Sequence, residues 1–253
     1  MKSAKYAVAL LLSLSLALPA VAGDVKDFKG SVEGTSAGAV LFGALVERLD
    51  PDSMEMVLDE EPSEDGKVRH MYLEIKGAHF GSFRLDEMSL ETMFNKFNPV
   101  AEWSDPEKIS VENIMAGNFS ATVCEADINK ALSEKIDENW KNVQVDIKPE
   151  GLFARGYYVV KGSVSLKILV ELSTGLEVRS RKIWLNNYKL FVNNAEKTSI
   201  VKDAVKDLQP VVDLEDFVFP LNVDRIEMGS DTIRLVTKTA PKPFAGVMFK
   251  YNR

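Results

Sequence analysis

The chain has 253 residues, with 31 Lys and Arg against 38 Asp and Glu, a formal net charge of −7, and 45% apolar residues. An acidic balance argues against nucleic acid, whose binding rests on neutralising phosphates with Lys and Arg, and the apolar share suffices for a real core. The lone Cys124 excludes an intramolecular disulfide, and with no cation beside it the residue reads as a small buried hydrophobe.

The first 23 residues have the layout of an export signal. Lys2 and Lys5 supply a positive start, residues 7–18 an apolar stretch, Pro19 a break, and Ala20-Val21-Ala22 a small-residue cleavage site. The apolar stretch is shorter than the roughly 20 residues a bilayer span takes. Residues 1–22 are therefore expected to be removed near Ala22, leaving residues 23–253 as a single domain in an extracytoplasmic compartment, the periplasm. Loss of Lys2 and Lys5 takes the charge from −7 to −9. Anionic membranes gain nothing from that charge, so membrane contact would need an apolar surface or a local basic patch.

Further along, Ser36 caps an expected helix over 36–49, with Leu41, Leu45 and Leu49 on one face and Asp50-Pro51 as its stop. Residues 59–67 are acidic and rich in turn formers, so they read as a solvated loop. Residues 68–88 alternate as strands, through Met71, Leu73 and Ile75 and then Phe83 and Leu85. Residues 89–98 carry Leu90, Met93, Phe94 and Phe97 at helical spacing behind Ser89 and Thr92, which predicts a short helix. A strand over 119–123 follows, then a helix over 125–136 with Ile128, Leu132 and Ile136 four apart.

From Val143 to Val192 the period is two. Val143, Val145 and Ile147, then Tyr157 and Val159, then Val164 to Leu172, then Leu176 and Val178, then Tyr188 to Val192 alternate with mostly polar residues. Gly151, Gly156, Gly162 and Ser173-Thr174-Gly175 punctuate them at hairpin spacing. This predicts an antiparallel meander with one wet face. A helix over 195–208, with Ile200, Ala204 and Leu208 inward, and strands near 217–227 and 231–238 complete the chain. The order gives an α+β fold, an extended curved antiparallel sheet with a few helices on one side. In this scheme residues 23–68 hold the first helix and the acidic loop, and residues 69–240 the sheet-plus-helix core.

Gly34-Thr35-Ser36-Ala37-Gly38 fits G-x-S-x-G and resembles the nucleophile motif of patatin-like phospholipases. The short stretch before Ser36 leaves no room for the oxyanion loop and first strand such enzymes carry, and their aspartate segment is absent. The motif therefore reads as a small-residue helix cap, with an esterase as the weaker alternative. Only His70 and His79 are present, and no metal or phosphate motif appears, so neither a metal nor a cofactor is expected.

A long apolar sheet face needs a second layer, and the few short helices cover only part of it. The remainder is either an ordinary closed core or the wall of an apolar ligand site. From about Phe80 to Lys238 the chain resembles the LmeA-like phospholipid-binding family. The segments concerned are Phe119–Leu132, matching its strand–helix pattern, the meander 142–192, and Phe217–Ile226 before a final strand pair. The resemblance implies a tubular lipid-binding fold, a phospholipid or other acyl lipid as partner, and no catalytic residues. Lining candidates are then Val143, Val145, Val164, Leu166, Ile168, Val170, Leu172, Tyr188 and Leu190 on the meander, faced by Ile128, Leu132, Ile200 and Ala204. Arg179, Arg181 and Lys182 beside Trp184 are the candidate contact for a headgroup or membrane surface, since Arg suits phosphate and Trp the interface. An envelope structural or adaptor protein with a closed core is the alternative.

Overall fold

The structure, a computed structural model, describes residues 25–80, 83–161, 165–199, 209–215, 219 and 222–253. In chain order the elements are β1 (Val25–Lys29), α1 (Ala37–Leu49), β2 (Ser53–Leu58), β3 (Lys67–Lys76), β4 (His79–Phe80), β5 (Phe83–Arg84), β6 (Glu87–Phe97), β7 (Val111–Cys124) and α2 (Glu125–Lys135). After them come β8 (Trp140–Lys148), β9 (Gly151–Val160), β10 (Leu166–Arg179), β11 (Lys182–Val192), β12 (Ala195–Glu196), β13 (Val212–Asp213), β14 (Arg225–Met228), β15 (Thr232–Val236) and β16 (Val247–Asn252).

The class is α+β and strand-rich, but in place of the single extended sheet expected there are two large sheets and a two-stranded ribbon of β4 and β5. Eight strands run β1-β16-β2-β3-β6-β7-β15-β14, and a second sheet runs β12-β11-β10-β9-β8 with β13 also on β11. Neither lies alone: β7 leads directly into α2, and α2 docks on β8 of the second sheet. All pairings are antiparallel except β1 with β16, which is parallel. That parallel edge, together with β2, draws residues 25–29, 53–58 and 247–252 into the main sheet. The N-terminal part is thus a portion of the core rather than a segment before it.

The helix expected over 89–98 is the strand β6. Its residues pair with both β3 and β7, so two full ladders of backbone hydrogen bonds override a helical spacing of apolar residues. Of the helix expected over 195–208, residues 195–196 are β12, 198–199 are helical, and 200–208, with Ile200, Ala204 and Leu208, lie outside the described residues. Helix α1 forms as expected. Ser36 Oγ accepts from the Ala39 amide at 3.2 Å, and Asp50 closes the helix in a left-handed conformation.

Helix α1 and the second sheet share one face of the eight-stranded sheet. Leu41, Phe42, Leu45 and Leu49 of α1 pack with Met54, Met56, Leu73 and Phe249, all of them buried. Toward β7 and β15, Phe119, Ala121, Ile233 and Leu235 turn the same face to α2 and the smaller sheet. Across the opposite face, residues 238–246 run as a strap from β15 to β16. Its Phe244 ring stacks on His70 at 3.7 Å. Glu91, buried beneath, accepts from the Lys242 amide at 3.1 Å and from Asn118 Nδ2 at 3.0 Å, and lies 3.0 Å from His70 Nε2.

Burial pushes the Glu91 carboxyl up, but its contacts with Asn118, His70 and Lys242 together hold it below its ordinary value. A depressed carboxylate adds stability above its unfolded pKa of about 4.3, and that stability is lost as pH falls through the folded value. Replacing Glu91 by Gln is expected to cost about 1–3 kcal/mol at pH 7. In urea melts the gap between wild type and Glu91→Gln should narrow steadily below pH 5.

Candidate functional site

Between the two sheets lies a cavity of about 350 Å³. One wall comes from the eight-stranded sheet, with Met88 of β6, Phe119, Ala121 and Val123 of β7, and Ile233 and Leu235 of β15. The facing wall is the smaller sheet, with Val145 of β8, Leu152 and Ala154 of β9, Leu172 and Leu176 of β10, and Ile183 and Leu185 of β11. Ile128 and Leu132 of α2 close one side, and Val211, Val212 and Leu214 another. The polar side chain among these lining residues is Thr174, and its hydroxyl already donates to the Asn186 carbonyl at 2.9 Å. A site of this kind offers dispersion and water exclusion, and no charge or free donor.

Helix α2 is positioned by polar bonds to a strand edge. As the edge strand of its sheet, β8 presents one row of backbone groups without a neighbouring strand. Asn129 of α2 meets that row at both ends of one residue: its Nδ2 donates to the Val145 carbonyl and its Oδ1 accepts from the Val145 amide, each at 2.8 Å. Glu125 accepts from the Ile147 amide at 2.8 Å. These bonds seat the helix with Ile128 and Leu132 turned into the cavity. Asn129 therefore has a structural role that the apolar spacing of the helix does not reveal.

Of the expected lining residues, Val145, Leu172, Ile128 and Leu132 stand on the cavity wall. Ile168 and Val170 alternate with Leu172 along β10 and prolong the same face beyond the cavity, and Leu166 is exposed at its far end. Val143 lies in a bulge of β8, over Gly156, where a Cβ would come within 2.7 Å of its Cγ2. Leu190 is buried on the face shared with Leu172 but away from the cavity, and Tyr188 sits in a bulge of β11. Val164, Ile200 and Ala204 lie outside the described residues.

Most of the wall, including every residue from the large sheet, was not among the expected lining residues, and for two of these, Ile183 and Leu185, the reason is a bulge. In the pairing of β10 with β11 the register slips between Ser173 and Gly175, and two residues, Asn187 and Tyr188, stand opposite Thr174. Asn187 takes a positive φ of 50° there. The extra residue reverses the parity of β11, so Leu190 on one side and Ile183 and Leu185 on the other reach one face. An uninterrupted alternation through Tyr188 and Leu190 cannot show this.

The cationic patch has partners of its own. Arg179 pairs with Glu177 and lies over the Trp184 ring, 5.5 Å from its centroid. Arg181 donates to the Leu214 carbonyl at 2.8 Å, while Lys182 meets Asp213 at 2.8 Å and Glu215 at 3.5 Å. These bonds pin β13 and Leu214 to the β10–β11 hairpin, while the buried Arg181 Nε and Trp184 Nε1 have no hydrogen-bond partner among the described residues.

No family model matches the chain, and no curated protein or solved structure is detectably similar to it. What the site does must be argued from its chemistry.

The G-x-S-x-G segment has a packing explanation. A Cβ on Gly34 would fall 2.6 Å from that of Ala39, and one on Gly38 would fall 2.6 Å from Phe249 Cζ and 2.7 Å from Glu61 Oε2. Ser36 Oγ accepts from Lys26 Nζ at 3.2 Å, and Lys26 pairs with Glu61 at 3.0 Å. Glu61 in turn accepts from the Gly38 amide at 2.7 Å, so a carboxylate of the chain itself fills the helix N-terminus. The histidines are committed elsewhere, His70 beside Glu91 and His79 near Asp50. At Cys124, burial and then Asp86 push the thiol up, opposite to what a nucleophile needs. Among the described residues no group of three or more His, Cys, Asp or Glu is placed to hold a metal.

The α2 clamp yields a test. Replacing Asn129 by Ala leaves the Val145 amide and carbonyl facing an apolar methyl, at an expected cost of about 1–3 kcal/mol for an unpaired buried group. Asn129→Asp keeps the acceptor but sets a carboxylate oxygen against the Val145 carbonyl, so denaturant melts at pH 7 should place it no higher than Ala.

Proposed function

We propose that this chain is an exported, non-catalytic phospholipid-binding protein that holds acyl chain in the cavity between its two sheets and serves lipid trafficking or maintenance in the cell envelope. The supporting observation is that cavity, about 350 Å³ walled by aliphatic and aromatic side chains, with its one hydroxyl already bonded to the backbone. Its volume stands at the lower end of the roughly 300–1,000 Å³ usual for ligand sites. It equals about twelve waters at ~30 Å³ each, which is room for a chain of about as many methylenes. At ~0.8 kcal/mol per methylene the gross gain is about 10 kcal/mol, against several lost on immobilising the chain. With at least ~4 kcal/mol lost, affinity for one acyl tail is tens of micromolar at best, and a phosphate-bearing headgroup stays outside because nothing on the wall would solvate it. The export signal read in residues 1–22 and the family resemblance point to the same setting, a compartment where a shielded acyl chain has somewhere to go.

Ala154 provides the discriminating substitution. It stands between Val145 and Leu172 in the sheet register and faces the cavity. Ala154→Phe is expected to cut uptake of a fluorescent fatty acid at least tenfold while holding or raising the melting temperature, since it fills space a ligand would use. In a closed core the same change overpacks and costs about 1–3 kcal/mol. Wild-type protein that takes up no fatty acid, with a destabilised Ala154→Phe variant, would favour the closed-core reading.

A further inference from the structure

The apolar face of β10 does not stop at the cavity. Leu172, Val170, Ile168 and Leu166 alternate along the strand toward its N-terminal end, and Leu166 is 60% exposed there. Its cross-strand partner Val160 is 41% exposed. One step inward, Ile168 pairs with Tyr158, and Tyr158 with Trp140 of β8, the two rings meeting edge to face at 5.3 Å. Lys141, Lys161 and Lys167 are exposed around this tip, with Lys161 paired to Glu138 at 2.9 Å. An indole and a phenol behind exposed aliphatic residues, flanked by lysines, have the composition of a segment seated where hydrocarbon meets headgroup.

We propose that the surface around Val160, Leu166, Tyr158 and Trp140 is the membrane-docking tip of this protein, taking an anionic phospholipid bilayer as its partner. Leu166 and Val160 enter the acyl region, Trp140 and Tyr158 lie at the headgroup level, and the lysines meet lipid phosphate. Two features favour a bilayer. The first is continuity: the face that meets the membrane is the one that lines the cavity. From Leu166 to Leu172 is six residues, about 20 Å at ~3.3 Å per residue, comparable with one leaflet of a hydrocarbon core about 30 Å thick. A chain leaving the bilayer at the tip can keep apolar contact along that row until it reaches the cavity. The second is charge: the chain as a whole is acidic at −7, yet around this apolar tip the exposed Lys141, Lys161 and Lys167 outnumber Asp137 and Glu138, of which Glu138 pairs with Lys161. The assignment rests on the lipid-binding reading, and it places docking at the end of the meander opposite the Arg179–Lys182 hairpin.

The test uses the full chain with vesicles of equal phosphatidylglycerol and phosphatidylcholine, compared with phosphatidylcholine alone. Co-sedimentation reads docking, and uptake of a fluorescent fatty acid from vesicle-free solution reads the cavity separately. The double variant Val160→Glu, Leu166→Glu changes two exposed positions, so it should fold normally and take up fatty acid as wild type does. Its partitioning onto anionic vesicles should fall at least tenfold. Met115→Glu, at a 73% exposed position on the other sheet, should leave partitioning unchanged. Wild-type binding should weaken as salt rises, since the Debye length is only about 8 Å at 0.15 M. Undiminished partitioning of the double variant, or equal loss with Met115→Glu, overturns the assignment. So does a wild type that self-associates through this tip while the variant is monomeric and vesicle binding is unaffected. A wild type that docks but takes up no fatty acid would instead count against the lipid-binding reading itself.

Discussion

Everything about the cavity depends on how the free edge of β8 is satisfied. A strand edge presents backbone donors and acceptors that must find partners or stay wet. Here a helix supplies them, with Asn129 bonding both backbone groups of Val145 and Glu125 bonding Ile147. The helix is thereby held against β8 while its chain emerges from β7 of the other sheet. One set of directional bonds thus ties the two sheets together at a fixed separation, and the space between them is too wide for the lining side chains to fill. Were α2 attached by apolar contact alone, the sheets would be free to approach and the cavity to collapse, as close-packed interiors favour.

The rest of the architecture keeps that space apolar. The polar groups around it turn to partners outside it. Thr174 turns its hydroxyl to the backbone, the cations of the β10–β11 hairpin meet carboxylates and a carbonyl, and Glu91 is buried under the strap on the far face of the large sheet. Each arrangement moves charge or a donor away from the wall, and a wall without unmet polar groups discriminates by shape and length rather than by headgroup.

The elements legible in the sequence were those whose pattern is local. Helices α1 and α2 follow from a period of 3.6 and the strand character of 143–192 from a period of 2, but the expected punctuation holds only at Gly151. Gly156 lies inside β9, Ser173-Thr174-Gly175 lies inside β10 at the bulge opposite Asn187 and Tyr188, and Gly162 is outside the described residues. Strand β6 did not, because Leu90, Met93, Phe94 and Phe97 mimic a helix and the deciding bonds come from β3 and β7. Strands β1, β2 and β16 were not anticipated, since β16 pairs with strands some two hundred residues earlier in the chain. For the site, alternation found Val145 and Leu172, and helical spacing found Ile128 and Leu132. It missed Ile183 and Leu185 because a bulge of one residue at Asn187–Tyr188 inverts the parity of β11, and it missed Asn129 because a hydrogen-bonding clamp leaves no periodic trace.

The central claim is that the space between the sheets is an acyl-chain site. Native mass spectrometry of protein purified without detergent tests it most directly. The account predicts a species heavier than the chain by the mass of one phospholipid or fatty acid, which collisional activation releases and incubation with vesicles restores. A single apo mass that incubation with vesicles leaves unchanged would contradict it.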